Sequence, residues 1–222
     1  MARLPEGFAV LLDGRRLQSP ANRPLLLPTA ALAEAIAAEW AAQGEKILPA
    51  SMPLMQIAAT AVDRVAPTAA ETAAAIARYA ETDLLCYRAD GPPALVERQQ
   101  RQWQPILDWV ALALDAPFRV TAGVVPLTQP AAVGTAVSAQ LAQLDPFRLA
   151  ALSVATAAMG SVVLALALEA GRIDAGAAAE LSQLDERFQA EQWGSDAEAA
   201  ARRAAQTAEI EAVERFIRLL EG

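Results

Sequence analysis

The hydrophobic pattern of the chain changes early, from a short strand-like run to helical spacing that continues almost to the end. Phe8 to Leu12, Asp13-Gly14 and Arg15 to Gln18 are typical of a β-hairpin with a type I′ turn. Pro28-Thr29 then predicts a helix start, and apolar residues recur every four positions up to Trp40. We therefore expect an α+β, predominantly α protein, with a β-rich domain of hairpin strands plus one helix over 1–48 and a larger helical-bundle domain over 49–222.

The second part divides into several predicted helices. Thr68 to Glu71 has the pattern of a capping box, and Leu95 to Leu114 is a long amphipathic run that Pro105 should kink or restart. Trp103 falls on the apolar face of that run, and a last helix should begin near Asp196. Together these segments predict a bundle with a mainly aliphatic core.

Two short apolar segments do not have helical length. Asp83 to Arg88 is bounded by Asp90-Gly91-Pro92-Pro93 and predicts either a strand or an extended buried connection, and Arg119 to Val125 could pair with it. Cys86 lies between large apolar neighbours, so we interpret it as a core residue and not as a nucleophile.

Ala150 to Leu168 is the most hydrophobic part of the chain and carries no charge. A membrane span needs about 20 such residues, which makes a helical membrane protein one alternative. The run is rich in Ala and also contains Ser, Thr and Gly, and the rest of the chain is patterned as a soluble protein. These features favour a central buried helix of a bundle and no stable membrane insertion.

Leu181 to Gly194 predicts a helix with an unusual outer face. Leu181, Leu184 and Phe188 share one stripe, whereas Ser182, Glu186, Gln189 and Trp193 share another. A helix that only covers a core does not need a Trp beside a carboxylate on its polar side. Trp193 could pack on another element where the helix ends at Gly194, or it could contact a partner, and the spacing alone leaves both open.

Composition excludes several kinds of chemistry. The net charge is -8, which makes nucleic acid an unsuitable partner. The chain has no His, a single Cys and a single Lys, Lys46, so His-dependent triads, common zinc sites and disulfides within the chain are excluded. It also lacks phosphate-binding and dinucleotide-binding glycine motifs, and we expect no cofactor. The start Met1-Ala2-Arg3, without an Arg-rich amphipathic presequence, favours the bacterial cytoplasm over the mitochondrial matrix.

Three stretches taken together resemble one protein family. They are Glu39 to Gly44 running on to Met52-Pro53-Leu54, then Thr82 to Arg88, then Leu184 to Gln189 with Trp193-Gly194. With the N-terminal hairpin, their order and spacing resemble the assembly chaperones that act on the α subunit of the soluble catalytic head of the F-type ATP synthase.

The resemblance implies a β-rich domain followed by a helical one, no catalytic activity, and transient binding of an unassembled α subunit by a chaperone that is a monomer when free. The chaperone would shield the α surface that later meets the β subunit. The residues it implies for partner binding are Glu186, with the greatest importance, Asp185, Gln189 and Trp193. Arg187 departs from the more acidic pattern of the family, which leaves the division of labour between Asp185 and Glu186 open. Structural or motif positions are Trp40, Asp83, Tyr87 and Trp103.

The alternative from another class is a carboxylate-dependent small-molecule enzyme of mostly helical fold. Its available acids would be Asp83, Asp185, Glu186 and Glu191. Adjacent residues diverge by about 100° on a helix, so Asp185 and Glu186 are a poor acid/base pair. A strongly raised carboxyl pKa inside a concave pocket would favour this alternative.

Overall fold

The computed structural model describes residues 1–123 and 125–222 and begins with two short antiparallel hairpins. The second hairpin, which the sequence predicts, turns at Asp13 (φ 49°) and Gly14 (φ 78°), the two positive φ values of a type I′ turn. The first hairpin was not predicted, and it joins the second through Val10. The strands are β1 (Ala2–Leu4), β2 (Gly7–Ala9), β3 (Leu11–Leu12) and β4 (Arg15–Arg16).

Ten α-helices account for most of the described residues, which confirms a predominantly α, α+β fold. The first helix begins as predicted, because the Thr29 side chain accepts a hydrogen bond from the Leu32 amide. The helices are α1 (Ala30–Ala41), α2 (Pro53–Thr60), α3 (Ala69–Ala77), α4 (Pro93–Leu114), α5 (Ala131–Leu141), α6 (Pro146–Met159), α7 (Val162–Glu169), α8 (Ala175–Ser182), α9 (Leu184–Trp193) and α10 (Ala197–Leu220).

Two details of the helical part concern predicted helix boundaries. Helix α4 runs through Pro105 without a restart, which leaves the kink as the predicted effect of this residue. The Thr68 hydroxyl donates to the Arg64 carbonyl and does not cap α3, which is entered directly from a π turn (Ala61–Val65) and a 3-10 turn (Ala66–Thr68). The capping-box pattern therefore marks the right place in the chain but not the contact that forms there.

The uncharged run Ala150 to Leu168 is buried, as predicted, but it is two helices and not one. Gly160 adopts a left-handed conformation (φ 64°) that ends α6, and the Ser161 side chain then accepts from the Leu164 amide to start α7. Within residues 1–123 and 125–222, no helix combines the length and apolar character that crossing a bilayer requires.

The predicted helix Leu181 to Gly194 is also interrupted. Helix α8 begins at the Asp174 cap and ends at Ser182. Gln183 then separates it from α9, and its buried side chain donates to the Arg203 carbonyl (3.0 Å) and to Gln206 (2.9 Å) on α10. This side chain fixes the junction of the three helices.

The two short apolar segments pair over part of their length. A 3-10 turn (Leu84–Cys86) leads into β5 (Tyr87–Arg88), which forms a parallel pair with β6 (Thr121–Ala122). Val124, within the predicted segment Arg119 to Val125, lies outside the described residues. The core is one contiguous cluster centred on α6, α7 and α10, and α1 and α2 contribute to it. The domain boundary at residue 48 stays a prediction.

Candidate functional site

An open groove lies between α9 and the first turns of α10. Gly194 (φ 88°) ends α9, and the Asp196 carboxylate starts α10 by accepting from the Glu198 and Ala199 amides. The groove has a volume of about 360 Å³. The residues that line it are Glu186, Gln189, Ala190, Trp193, Gly194, Ser195, Asp196, Ala199, Arg202 and Arg203.

Three of the four predicted partner-binding residues line this groove together. Glu186, Gln189 and Trp193 lie on one face of α9, as their spacing predicts, and all three are exposed. Trp193 is 79% exposed, so its side chain does not pack inside the protein. Ser182, which shares their stripe in a continuous helix, is half-buried and bonds to the Ala179 carbonyl.

The Glu186 carboxylate is held loosely by two arginines of α10. Its Oε2 atom lies 3.5 Å from an Arg202 nitrogen and 3.9 Å from an Arg203 nitrogen, and the Glu186 and Arg202 side chains are 48% and 65% exposed. Exposed pairs of this kind contribute about 0–1 kcal/mol. Arg203 also donates to the hydroxyl of Ser195 (2.7 Å), another residue that lines the groove. Glu186 can therefore exchange these partners for a charge on another molecule.

Asp185 lies elsewhere. Its half-buried carboxylate turns toward α4 and accepts a hydrogen bond of 2.7 Å from the Gln99 side chain. Burial raises the pKa of Asp185, and the Gln99 hydrogen bond opposes that rise. The structure thus separates the two adjacent acids, with only Glu186 at the groove.

Asp83, in the second family-like motif, is fully buried. Its carboxylate accepts from the Ser161 hydroxyl (2.8 and 2.9 Å) and from the amides of Val163 (3.1 Å) and Leu85 (3.0 Å). Desolvation by burial raises its pKa to about 6 despite these bonds. The carboxylate therefore fastens the Leu84–Cys86 turn to the break between α6 and α7. Tyr87, next along, is half-buried against the core.

The first motif is also a structural connection. The Glu39 carboxylate accepts from the amides of Leu54 (2.9 Å) and Met55 (2.8 Å), which lie in the first turn of α2. Trp40 packs half-buried against the core, and its Nε1 is buried without a hydrogen-bond partner among the described residues. The motif thus joins the end of α1 to the start of α2.

Trp103 is the central buried aromatic residue of α4. Its Nε1 donates to the Leu181 carbonyl at the end of α8 (3.0 Å). The guanidinium of Arg88 lies 5.3 Å from the centre of its ring. Trp103 therefore joins the second motif to the end of α8, just before α9 begins.

The acids of the enzyme alternative do not share a site. Asp83 bonds to Ser161, Asp185 to Gln99 and Glu191 to Arg98, while Glu186 faces Arg202. The raised pKa of Asp83 accompanies complete burial and not a concave pocket. Across the described part of the chain, no three potential ligand side chains are grouped to hold a metal ion. Burial raises the pKa of the Cys86 thiol to about 12, which suppresses the reactive thiolate.

Sequence reasoning missed Arg202 and Arg203, which line the groove. It also missed Gln99, which contacts Asp185 of α9, and Gln183, which contacts α10. Gln99 follows Leu95 and precedes Trp103 at four-residue spacing, so a glutamine on an apolar stripe was a detectable signal. The two arginines gave no signal, because charged residues on a terminal helix are usually solvent-facing.

The chain is similar to a known protein family and to two solved structures. The model of the ATP12 chaperone protein family matches residues 2–111. The crystal structure of Atp12 from Paracoccus denitrificans is similar, with 48% identity, a TM-score of 0.94, and coverage of 99% of this chain and 94% of that one. A protein of Agrobacterium tumefaciens that has been proposed to be a chaperone is 41% identical, with a TM-score of 0.94 and coverage of 99% and 82%.

The two structural similarities extend over both the β-rich start and the helical remainder, whereas the family model covers the first half of the chain. A relative of this identity, matched over nearly the whole length of both chains, shares more than a fold. The chain therefore belongs to the ATP12 chaperone family, the family of ATP synthase assembly chaperones that its sequence motifs resemble.

Proposed function

We propose that this protein binds the unassembled α subunit of the F-type ATP synthase catalytic head through the α9–α10 groove. It shields the α surface that the β subunit later occupies, and the β subunit then replaces it. The observation that carries the proposal is the exposure of Trp193 beside Glu186 in a groove lined by a family-like motif. In this proposal the free chaperone is a cytoplasmic monomer and needs no cofactor.

The exposed Trp193 supports a protein partner. Large aromatic side chains in water mark interaction sites, and Trp is among the residues that contribute most binding energy at protein interfaces. Here the indole ring stands at the end of a helix and at the rim of a concavity. A partner that covers it removes most of a large apolar surface from water.

The charges of the groove support a selective partner. Glu186 faces Arg202 and Arg203 at distances beyond close hydrogen bonding, and the exposed charges of Glu186 and Arg202 remain available to a complementary group. Complementary charges at an interface speed association and exclude wrong partners. A client segment with a basic group for Glu186 fits this surface, because such a group replaces a weak internal ion pair.

The test is a binding experiment with the purified α and β subunits of the catalytic head, each in isolation. The immobilised chaperone should retain α and not β, and adding β to the preformed complex should release the chaperone. Retention of β alone, or of neither subunit, would contradict the proposal. A Trp193→Ala variant should retain less α with unchanged helical circular dichroism, since the side chain is already exposed.

A further inference from the structure

Helix α9 presents one face to the groove and another to α4. Glu186, Gln189 and Trp193 face the groove, whereas Asp185, Phe188 and Glu191 lie on the other side, toward α4. A helix of ten residues has little stability of its own in water. Its direction is therefore set by tertiary contacts, which are the Gln183 junction with α10 and the contacts of the α4 face.

Gln99 supplies the most buried of these contacts. Its side chain is almost completely buried, with Oε1 accepting from the Ala89 amide (2.8 Å) and Nε2 donating to the Asp185 carboxylate (2.7 Å). The orientation of the amide group is chemically determined, because a backbone N–H needs an acceptor and a carboxylate needs a donor. One side chain thus fixes the first turn of α9 to the backbone beside β5.

Arg98 holds the other end of the helix. Its guanidinium makes two hydrogen bonds of 2.8 Å to Glu191 and lies 5.1 Å from the centre of the Phe188 ring. The Arg98–Glu191 pair is more exposed than Gln99, so we assign it a smaller contribution to the direction of α9. Together, two consecutive residues of α4 contact the beginning, middle and end of α9.

Asp185 is poorly placed to meet another molecule. It is half-buried, it does not line the groove, and its carboxylate already accepts the Gln99 hydrogen bond. A client would have to displace Gln99 to reach that oxygen. Glu186, one residue on, needs no such displacement.

We propose that Gln99 and Asp185 form a positioning clamp that sets the direction of α9 and so aims Glu186 and Trp193 at the client. This inference rests on the proposed function. Asp185 acts through its hydrogen bond to Gln99, and its charge makes no contact with the client. Gln99 also connects α9 to Ala89, the residue that directly follows the second motif.

The test distinguishes the contribution of the Gln99–Asp185 hydrogen bond from that of the Asp185 charge. Asp185→Asn keeps an acceptor for Gln99 and removes the charge, so the affinity for isolated α subunit should stay within about twofold of the parent protein. Asp185→Ala and Gln99→Leu remove the bond and should each weaken binding about tenfold. Gln100→Leu is the matched control, because the same change one residue on falls on the exposed side of α4.

Hydrogen exchange measures the clamp without a client. Gln99→Leu and Asp185→Ala should speed amide exchange in α9, while exchange in α6 and α7 stays that of the parent protein. Parent-like exchange in α9 for both variants would overturn the clamp, and so would an Asp185→Asn variant that binds as weakly as Glu186→Lys. Failure of the parent protein to bind α would refute the proposed function, and the exchange result would still decide the clamp.

Discussion

Asp83 and Glu186 both lie in stretches that resemble the family, and their surroundings are opposite. Asp83 is fully buried and accepts hydrogen bonds from a hydroxyl and two backbone amides. Glu186 is half-exposed and faces two arginines at 3.5 and 3.9 Å. The contrast teaches that residues of family-like motifs can have unrelated surroundings, because one carboxylate holds the fold together and the other lies at an open groove.

The first motif, like Asp83, makes structural contacts inside the protein. Glu39 caps α2 through two backbone amides, as Asp83 supports the start of α7. Both acids join segments that are separated in the chain, and neither lines the groove. Only the third motif presents polar side chains and an aromatic ring to solvent, which is where a client can reach them.

Removing the Asp83 carboxylate should give the largest loss of stability. Asp83→Ala leaves the Ser161 hydroxyl and the Leu85 and Val163 amides buried without their acceptor, which should lower the free energy of unfolding by about 3–4 kcal/mol. Urea denaturation measures this value. Glu186→Ala is the matched control and should change it by less than about 0.5 kcal/mol. Equal losses of unfolding free energy for the two variants would contradict the distinction between a structural Asp83 and an exposed Glu186.

The two tryptophans Trp103 and Trp193 extend the comparison. Trp103→Phe loses the bond to the Leu181 carbonyl and leaves a cavity, so the free energy of unfolding should fall by about 2–3 kcal/mol. Trp193→Phe should leave it within about 0.5 kcal/mol, because the ring is exposed. Thermal unfolding of both variants checks this expectation, and a less stable Trp193→Phe variant would assign Trp193 a structural role.

The pH dependence of stability should also report on Asp83. Its folded-state pKa is about 6, above the ordinary value of 3.8. Between those pH values the folded protein keeps a proton that the unfolded chain releases, so this group makes the free energy of unfolding fall as pH rises. Asp83→Asn remains neutral at every pH. The stability of the parent protein relative to this variant should therefore decrease by on the order of 2 kcal/mol from pH 4 to pH 7.

Urea denaturation of both proteins at each pH isolates the contribution of Asp83, because the other carboxylates are common to both. A difference that does not change with pH, or that increases with pH, would contradict the assigned pKa direction. Glu186→Gln makes the same carboxylate-to-amide change at the groove, and its free energy of unfolding is compared with that of the parent protein in the same way.

The sequence predicted what depends on local pattern. Asp-Gly specified the hairpin turn, Thr29 the start of α1, and helical spacing the common face of Glu186, Gln189 and Trp193. The charge-free run was correctly assigned to the interior. Each of these properties is determined by residues within a few positions of one another.

The sequence failed where distant residues decide the local structure. The run Ala150 to Leu168 breaks at Gly160 because Asp83, far away in the chain, accepts from Ser161 and Val163 and supports a new helix start there. Asp185 was grouped with Glu186 because its partner Gln99 lies in another helix. No periodicity reveals such contacts.

The most direct test of the account is the affinity of a Glu186→Lys variant for the isolated α subunit, measured by titration calorimetry. The matched control is Glu211→Lys, which makes the same charge change at an exposed position of α10 outside the groove. We expect Glu186→Lys to abolish binding with a melting temperature near that of the parent protein, and Glu211→Lys to bind normally. Parent-like binding by Glu186→Lys, or a large loss of its thermal stability, would contradict the assignment of Glu186 to the client surface.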